Sequence, residues 1–568
     1  MRPVLVRRLS TAAVIRTSQY TEPLLTSSLM DRSYPGLLLE KMAAPELKNV
    51  CAGFDGSNNT SLTYKEAYDS TLLCASALRR LGVGKGDVVA IASPNHLHFF
   101  STFQGIALTG AASTPINPAY TYEEMLFQVE KTKAKFIVAH PLCLDRAFKV
   151  AEKLKVGVVA LDDPPKGSAP LGGKLAASVS EWLTAEKASS IDMKSFHAMG
   201  DKFDSNSMMT IPFSSGTTGV PKGVMLSHRN LTANTLQMMH LEQEQLKNSN
   251  SVVLCPLPFF HIYGMVVGLC LTYYAGRKLV FTPAFDLPGF LGLIQTHKVT
   301  RSFVVPPIVL ALAKHPLVDK YDLSSLKCLM SGAAPLGGAL QTACAARLKC
   351  VVKQGWGMTE LSPVGTSTPD DAVRFDGQAG LLLPGTVGKI VDPANGKDLP
   401  SDQEGELCVK GPQVMKGYLN NKEATDNTID KDGWLHTGDI GKFDGDGWLY
   451  ITDRCKELIK YKGFQVPPAE LEAVLVTMAG VKDAVVIPVP DDEGGEVPRA
   501  YVVKQDGAEN LTADEVIAFV KEKVAPHKRL RGGVFFTDVI PKSPSGKILR
   551  RVQVDFDRRV NPVKSSFN

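Results

Sequence analysis

The ten cysteines of this 568-residue chain include no CxxC pair. Cys51, Cys74, Cys143, Cys255, Cys270, Cys328, Cys344, Cys350, Cys408 and Cys455 are scattered through apolar runs. That scatter suits buried thiols in a reducing compartment better than a disulfide framework or a zinc cluster. No run of about 18 apolar residues occurs, which excludes a membrane-spanning helix. Charge of one sign is scarce as well. Of the net charge of +5, Arg2, Arg7, Arg8 and Arg16 supply four, so the rest of the chain stands at +1. Nothing in that balance points to a nucleic-acid partner. His96 and His98 form an HxH with no third ligand near them in sequence, too little for a metal site. There is no internal repeat and no low-complexity tract.

Acidic residues and lysine are missing altogether from residues 1–21, MRPVLVRRLSTAAVIRTSQYT. An arginine- and hydroxyl-rich segment without acids is the composition of a mitochondrial transit peptide. Arg7 and Arg8 interrupt any secretory apolar core, and the final Ser566-Phe567-Asn568 is not a peroxisomal address. Residues 1–21 are therefore expected to act as a targeting leader, with a frayed terminus of a cytoplasmic protein as the alternative.

What remains has ordinary globular composition, 44% hydrophobic and 21% charged. From about residue 60 to 450, short β-rich runs alternate with helical patterns, which predicts an α/β architecture with a largely parallel sheet. Three runs end in loops of small or hydroxyl residues: Met208–Phe213 before Ser214, Leu326–Met330 before Ser331, and Cys350–Gln354 before Gly355. Ligands bind beyond the carboxyl ends of such strands, so these loops predict one shared site. After Ile451 the pattern changes. Residues 22–452 are expected to form a large domain of mixed or parallel sheets flanked by helices. Residues 453–568 form a small, mobile α+β domain. Its predicted elements are helices near Ala469–Met478 and Ala513–Val524 and strands near Ala484–Val489 and Ala500–Val503.

The most telling stretch is SSGTTGVPKG, Ser214 to Gly223. Four hydroxyls and three glycines let the backbone turn tightly and aim donors at phosphate oxygens, and Lys222 adds a cation. The spacing is not that of a Walker A loop, because Lys222 follows Pro221 and precedes Gly223.

Here the sequence resembles the adenylate-forming superfamily of acyl-CoA synthetases, luciferases and peptide-synthetase adenylation domains. The motifs stand in family order: SSGTTGVPKGVMLSH (214–228), PFFHIYG (258–264), SGAAPLG (331–337), QGWGMTE (354–360), GWLHTGD (433–439), DRCKELIKYKGFQVPPAELE (453–472) and PKSPSGKILRR (541–551). The second and sixth look most like 4-coumarate–CoA ligases. The resemblance implies a two-step reaction. A carboxylic acid and ATP give acyl-AMP and pyrophosphate, and coenzyme A then displaces AMP. Because the substrates supply both nucleophiles, the protein supplies position and positive charge.

By this resemblance Lys547, preceded by Gly546 in a loop stiffened by Pro541 and Pro544, reaches across to the carboxylate and α-phosphate. Glu360 holds Mg²⁺, and His261 closes the pocket near the reacting carboxylate. ATP is bound by Ser214, Ser215, Gly216, Thr217, Thr218, Lys222, Thr359, Asp439, Arg454 and Lys547. The acyl-adenylate meets Tyr263, Val267, Ala333, Gln354, Gly355, Thr359, Lys456 and Lys460, while Lys462 and Gly463 meet coenzyme A. The two cationic groups in one small domain imply a hinge at 453–456 that presents a different face to each half-reaction. Departures at Val267, Ala284 and Trp356 leave the acid open. A 4-coumarate-like hydroxycinnamate is the first expectation; a medium- or long-chain fatty acid, or loading of a separate carrier protein, is the alternative.

Overall fold

A computed structural model describes residues 14–20, 25–162, 177–185, 203–214, 221–242, 250–454, 457–462, 464–491, 495–543 and 546–561. The large lobe is built on two nine-stranded sheets. The centre of the first is the run Val88–Ala92, flanked in parallel by Ala112–Ile116 and Phe136–Ala139. VVAIA is apolar at every position and buried at every position, as a strand covered on both faces requires. In the second sheet Val252–Cys255, Arg301–Val304, Cys328–Ser331 and Val351–Gly357 run parallel side by side. Helix Tyr64–Arg80 starts where Thr63 and Glu66 cap each other's backbone N–H groups. It then packs an apolar face on the helix Phe99–Leu108, which is buried all round. Among the described residues, no helix is long and apolar enough to cross a membrane.

The expected alternation of strands and helices stops earlier than residue 450. Val387–Val391, Gly405–Lys410, Leu435–Phe443 and Leu449–Arg454 form a third sheet that is antiparallel throughout. A glycine-containing turn at 444–448 joins the last two of these strands directly, and a direct turn allows only antiparallel pairing. Arg16–Thr17 adds an edge strand to this sheet, pairing with Gly388 and Val387. The Arg16 guanidinium donates to Ser401 Oγ (2.5 Å) and to the Asp444 carbonyl (2.9 Å). The last part of the arginine-rich segment is thus docked on the fold.

Beyond Arg454 the chain builds a separate core around Ile459, Leu471, Val486, Val502 and Val520. Its helices Pro468–Leu475 and Ala513–Lys523 and strands Val481–Asp491 and Gly495–Lys504 cover the elements expected there.

The junction is held by Asp453, buried at the end of its strand. Its carboxylate accepts from the backbone N–H of Arg454 (2.7 Å) and from that of Ala469 in the small lobe (2.9 Å). Burial pushes this carboxyl from 3.8 up to about 7, against Arg550 and those two N–H groups. A raised folded-state value means that the group's contribution to stability is complete at acid pH and is lost as pH rises through about 7. The melting temperature of Asp453→Asn, which keeps an acceptor but cannot ionise, is therefore expected to gain on that of the wild type between pH 5 and pH 8. A constant difference between the two melting curves across that range would refute the assignment.

Candidate active site

Both lobes contribute to one cleft of about 1190 Å³. Its floor comes from the carboxyl ends of the parallel strands, as the three loop-ending runs predicted. Ser214, Lys222, His261, Tyr263, Ala333, Gly355, Thr359, Glu360, Arg454 and Lys547 all line it.

Ser214 and Lys222 face each other across an antiparallel pair. Ser215, Gly216, Thr217 and Thr218 lie outside the described residues, as do Lys456 and Gly463. The Lys222 ammonium sits 4.9 Å over the Tyr418 ring, a cation–π contact. The Tyr418 hydroxyl in turn donates to Glu360 Oε1 at 2.8 Å, and Ser214 Oγ donates to the same oxygen at 3.1 Å. Two hydroxyl donors on one oxygen orient the buried Glu360 side chain beside Ser214 and Lys222. The short 3₁₀ turn Thr359–Leu361 presents it there.

Asp439 is buried just behind the cleft wall. Trp356 donates its indole N–H to Oδ2 (2.8 Å), and Arg454 Nε lies 3.3 Å from Oδ1. Burial raises the Asp439 carboxyl, with Arg454, Trp356 and Lys547 pulling it back.

Lys547 enters from the small lobe. Gly546 before it has φ +78, a left-handed conformation that favours glycine, and a Cβ there would stand 2.8 Å from Val305 of the large lobe. The loop therefore closes directly onto the large lobe. Burial, with the charge of Arg454, pulls the Lys547 ammonium down to about 8, while Glu457, Asp439 and Glu360 resist. On the opposite wall, burial and the Lys547 charge hold His261 down to about 4, so it is neutral. Its Nδ1 accepts from the Tyr263 backbone N–H at 3.3 Å, which leaves the ring proton on Nε2.

Tyr263 opens a stretch of π-helix, Tyr263–Cys270, and its hydroxyl donates to the Met330 carbonyl at 3.1 Å. The ring leaves no slack over Gly332, where a Cβ would lie 3.1 Å from it. Ala333 follows at φ +69, a conformation uncommon for a residue with a Cβ.

Four residues are placed elsewhere. Val267 is fully buried within the π-helix and is not on the cleft wall. Gln354 turns away and clamps Leu336, accepting from its N–H (3.0 Å) and donating to its carbonyl (2.9 Å). Lys460 and Lys462 are exposed on a hairpin of the small lobe, away from the cleft, and Lys462 has φ +47. Conversely, Tyr418, Trp356 and Glu457 belong to the site without having been singled out for it. Trp356 and Glu457 stand inside recognised motifs and Tyr418 in none, but a motif does not show the distant partners Asp439, Lys547 and Glu360 through which they act.

The AMP-binding enzyme family matches residues 41–419, and its C-terminal domain matches 470–547. The chain belongs to the AMP-binding enzyme family. Among its AMP-binding relatives, 4-coumarate–CoA ligase 3 of Oryza sativa subsp. japonica is 44% identical over 88% of this chain and 87% of that protein. The 4-coumarate–CoA ligase 2 of Petroselinum crispum is 42% identical over 88% of this chain and 89% of its own length. The crystal structure of ATP-bound MatB from Rhodopseudomonas palustris superimposes with a TM-score of 0.81 at 27% identity, covering 93% of this chain and 100% of that one. Both lobes of the AMP-binding architecture are thus present here.

Proposed function

We propose that this AMP-binding enzyme is an ATP-dependent acyl-CoA synthetase acting on 4-coumarate or a related hydroxycinnamate. A carboxylate oxygen attacks the α-phosphorus of ATP and the bond to pyrophosphate breaks. The sulfur of coenzyme A then attacks the acyl carbon, AMP leaves, and the thiol proton passes to solvent. The observation that carries this reading is Lys547. An ammonium from one lobe stands half-buried in a cleft lined by the other, where Glu360, Asp439 and Arg454 converge. In a water-poor site such a charge stabilises the anion that grows during transfer far more than in solution. Neutral His261, with Nε2–H free of the Tyr263 contact, can donate to the substrate carboxylate.

Glu360 would hold Mg²⁺. A single carboxylate oriented by Ser214 and Tyr418 fits that ion's preference for few protein ligands. When bound, the ion neutralises phosphate oxygens. The flat backbone surfaces of Gly332 and Gly355, with the Tyr263 ring, suit a planar acid. The Tyr263 oxygen keeps acceptor capacity for a phenol after donating to Met330. The outer position of Lys460 and Lys462 supports a second orientation of the small lobe about 453–456 for the coenzyme A step. The arginine-rich start supports mitochondrial import. Since Arg16 is bound into the antiparallel sheet, a cut that spares this contact falls before Arg16.

The test is CoA-dependent AMP release across a panel of acids. Activity with hydroxycinnamates and none with fatty acids is the expected result. The reverse pattern assigns the fatty-acid reading, and activity only with an added carrier protein overturns the thioester product.

A further inference from the structure

Beside the nucleotide cleft, the antiparallel sheet gathers a carboxylate, a thiol and an imidazole. Glu406 and Cys408 stand two apart on the strand Gly405–Lys410, with an irregularity in register between them, and Cys408 is paired directly with His436 on the neighbouring strand. Cys408 Sγ lies 3.4 Å from His436 Nδ1, and Glu406 Oε2 lies 2.9 Å from the same nitrogen. One donor atom from each of the three residues falls within 4.8 Å of the others.

A nucleophilic role does not fit. Cys408 is fully buried, so a substrate does not reach its sulfur, and the thiol and carboxylate compete for one ring nitrogen. A small cation meets neither objection. Around tetrahedral zinc, with bonds of roughly 2.3 Å to sulfur and about 2.0–2.1 Å to nitrogen and oxygen, donor atoms stand about 3.3–3.6 Å apart. The thiol and the carboxylate, at 3.4 and 2.9 Å from the ring nitrogen, therefore need to move from it by only a few tenths of an ångström. On the far side of the ring, Asp430 Oδ2 lies 3.5 Å from His436 Nε2. That carboxylate–histidine arrangement commonly orients a metal-binding imidazole. Asp430 is itself fixed by the backbone N–H groups of Asp432 and Trp434, both at 2.9 Å. Glu406 and His436 also line the cleft, which provides a route of entry and an open fourth position.

We propose that Glu406, Cys408 and His436 form a binding site for a borderline-soft divalent cation of the zinc class, positioned by Asp430. On binding, the Cys408 thiol gives up its proton to solvent and a sulfur–metal bond forms, so one proton is released per ion. The site also touches the nucleotide machinery. Glu406 Oε1 accepts from the Gly438 N–H at 3.1 Å, and the Thr437 hydroxyl donates to the Leu407 carbonyl at 2.8 Å. An ion held by Glu406 and His436 pins the segment that ends in Asp439 and slows adenylation. This last consequence rests on the proposed function; the metal site does not.

The full-length protein, stripped of metal under reducing conditions, is titrated with Co²⁺ as a spectroscopic probe. One equivalent is expected to produce a thiolate-to-cobalt charge-transfer band, discharged by Zn²⁺ and absent in Cys408→Ser. Asp430→Asn should keep the band while weakening affinity by about 10–100-fold. No band, or a band that survives in Cys408→Ser, overturns the proposal. If Cys408→Ser does not fold, His436→Asn carries the same expectation. A cobalt band accompanied by ATP–pyrophosphate exchange that is identical with and without zinc refutes the link to Asp439 and leaves the site standing. Absence of exchange under every condition instead refutes the proposed function.

Discussion

Lys547→Ala lowers acyl-adenylate formation by about 10²–10³-fold or more, the range for losing one preorganised charge-stabilising group. The ammonium is half-buried in the cleft, and water replaces a fixed charge there poorly because its dipoles must reorient. The pH profile gives a second readout. With the Lys547 ammonium titrating at about 8, the wild-type rate falls as pH rises through that value, because the deprotonated amine carries no charge to stabilise the transferring phosphoryl group. Glu457 is one of the carboxylates that favours the charged form. Glu457→Gln therefore moves the inflection to lower pH. ATP–pyrophosphate exchange measured from pH 6 to pH 10 checks both. An inflection indifferent to residue 457, or an alanine variant within tenfold of wild type, contradicts the assignment.

Glu360→Gln is expected to reduce adenylation by about 10²-fold, in line with the several kcal/mol that a metal ion supplies to transition-state charge. Glutamine retains the oxygen that accepts from Tyr418 and Ser214 and loses only the negative charge. The variant should fold normally and need much more Mg²⁺ for half-maximal rate. If its Mg²⁺ dependence matches the wild type, Glu360 does not hold the ion. A concurrent drop in melting temperature would trace to the Tyr418 contact instead.

Much of the architecture could be read from local pattern. The apolar run Val88–Ala92, the Thr63–Glu66 cap and the four small-lobe elements all follow from periodicity and capping, which act over a few residues. The cleft residues were legible where a motif carries them: Ser214, Lys222, Glu360 and Lys547. The contacts that tune them were not. Tyr418 reaches Glu360 across 58 residues, and Trp356 reaches Asp439 across 83. Gln354 sits in a motif yet points into the Leu336 turn, because a strand residue faces one side or the other and the motif does not say which. Cys408 escaped attention for a related reason. A search for paired cysteines looks along the chain, and its partners are Glu406 two residues away and His436 across the sheet.

Gly546 lies against Val305 where Lys547 enters the cleft from the small lobe, and a methyl group there would crowd the valine. That vacancy acts as a gauge. How closely the backbone beneath the ammonium approaches is set by Gly546 meeting the stiff, branched side chain of Val305. Any bulkier residue at 546 acts as a spacer, so the precision of the chemistry at the phosphorus is written in an atom the chain leaves out.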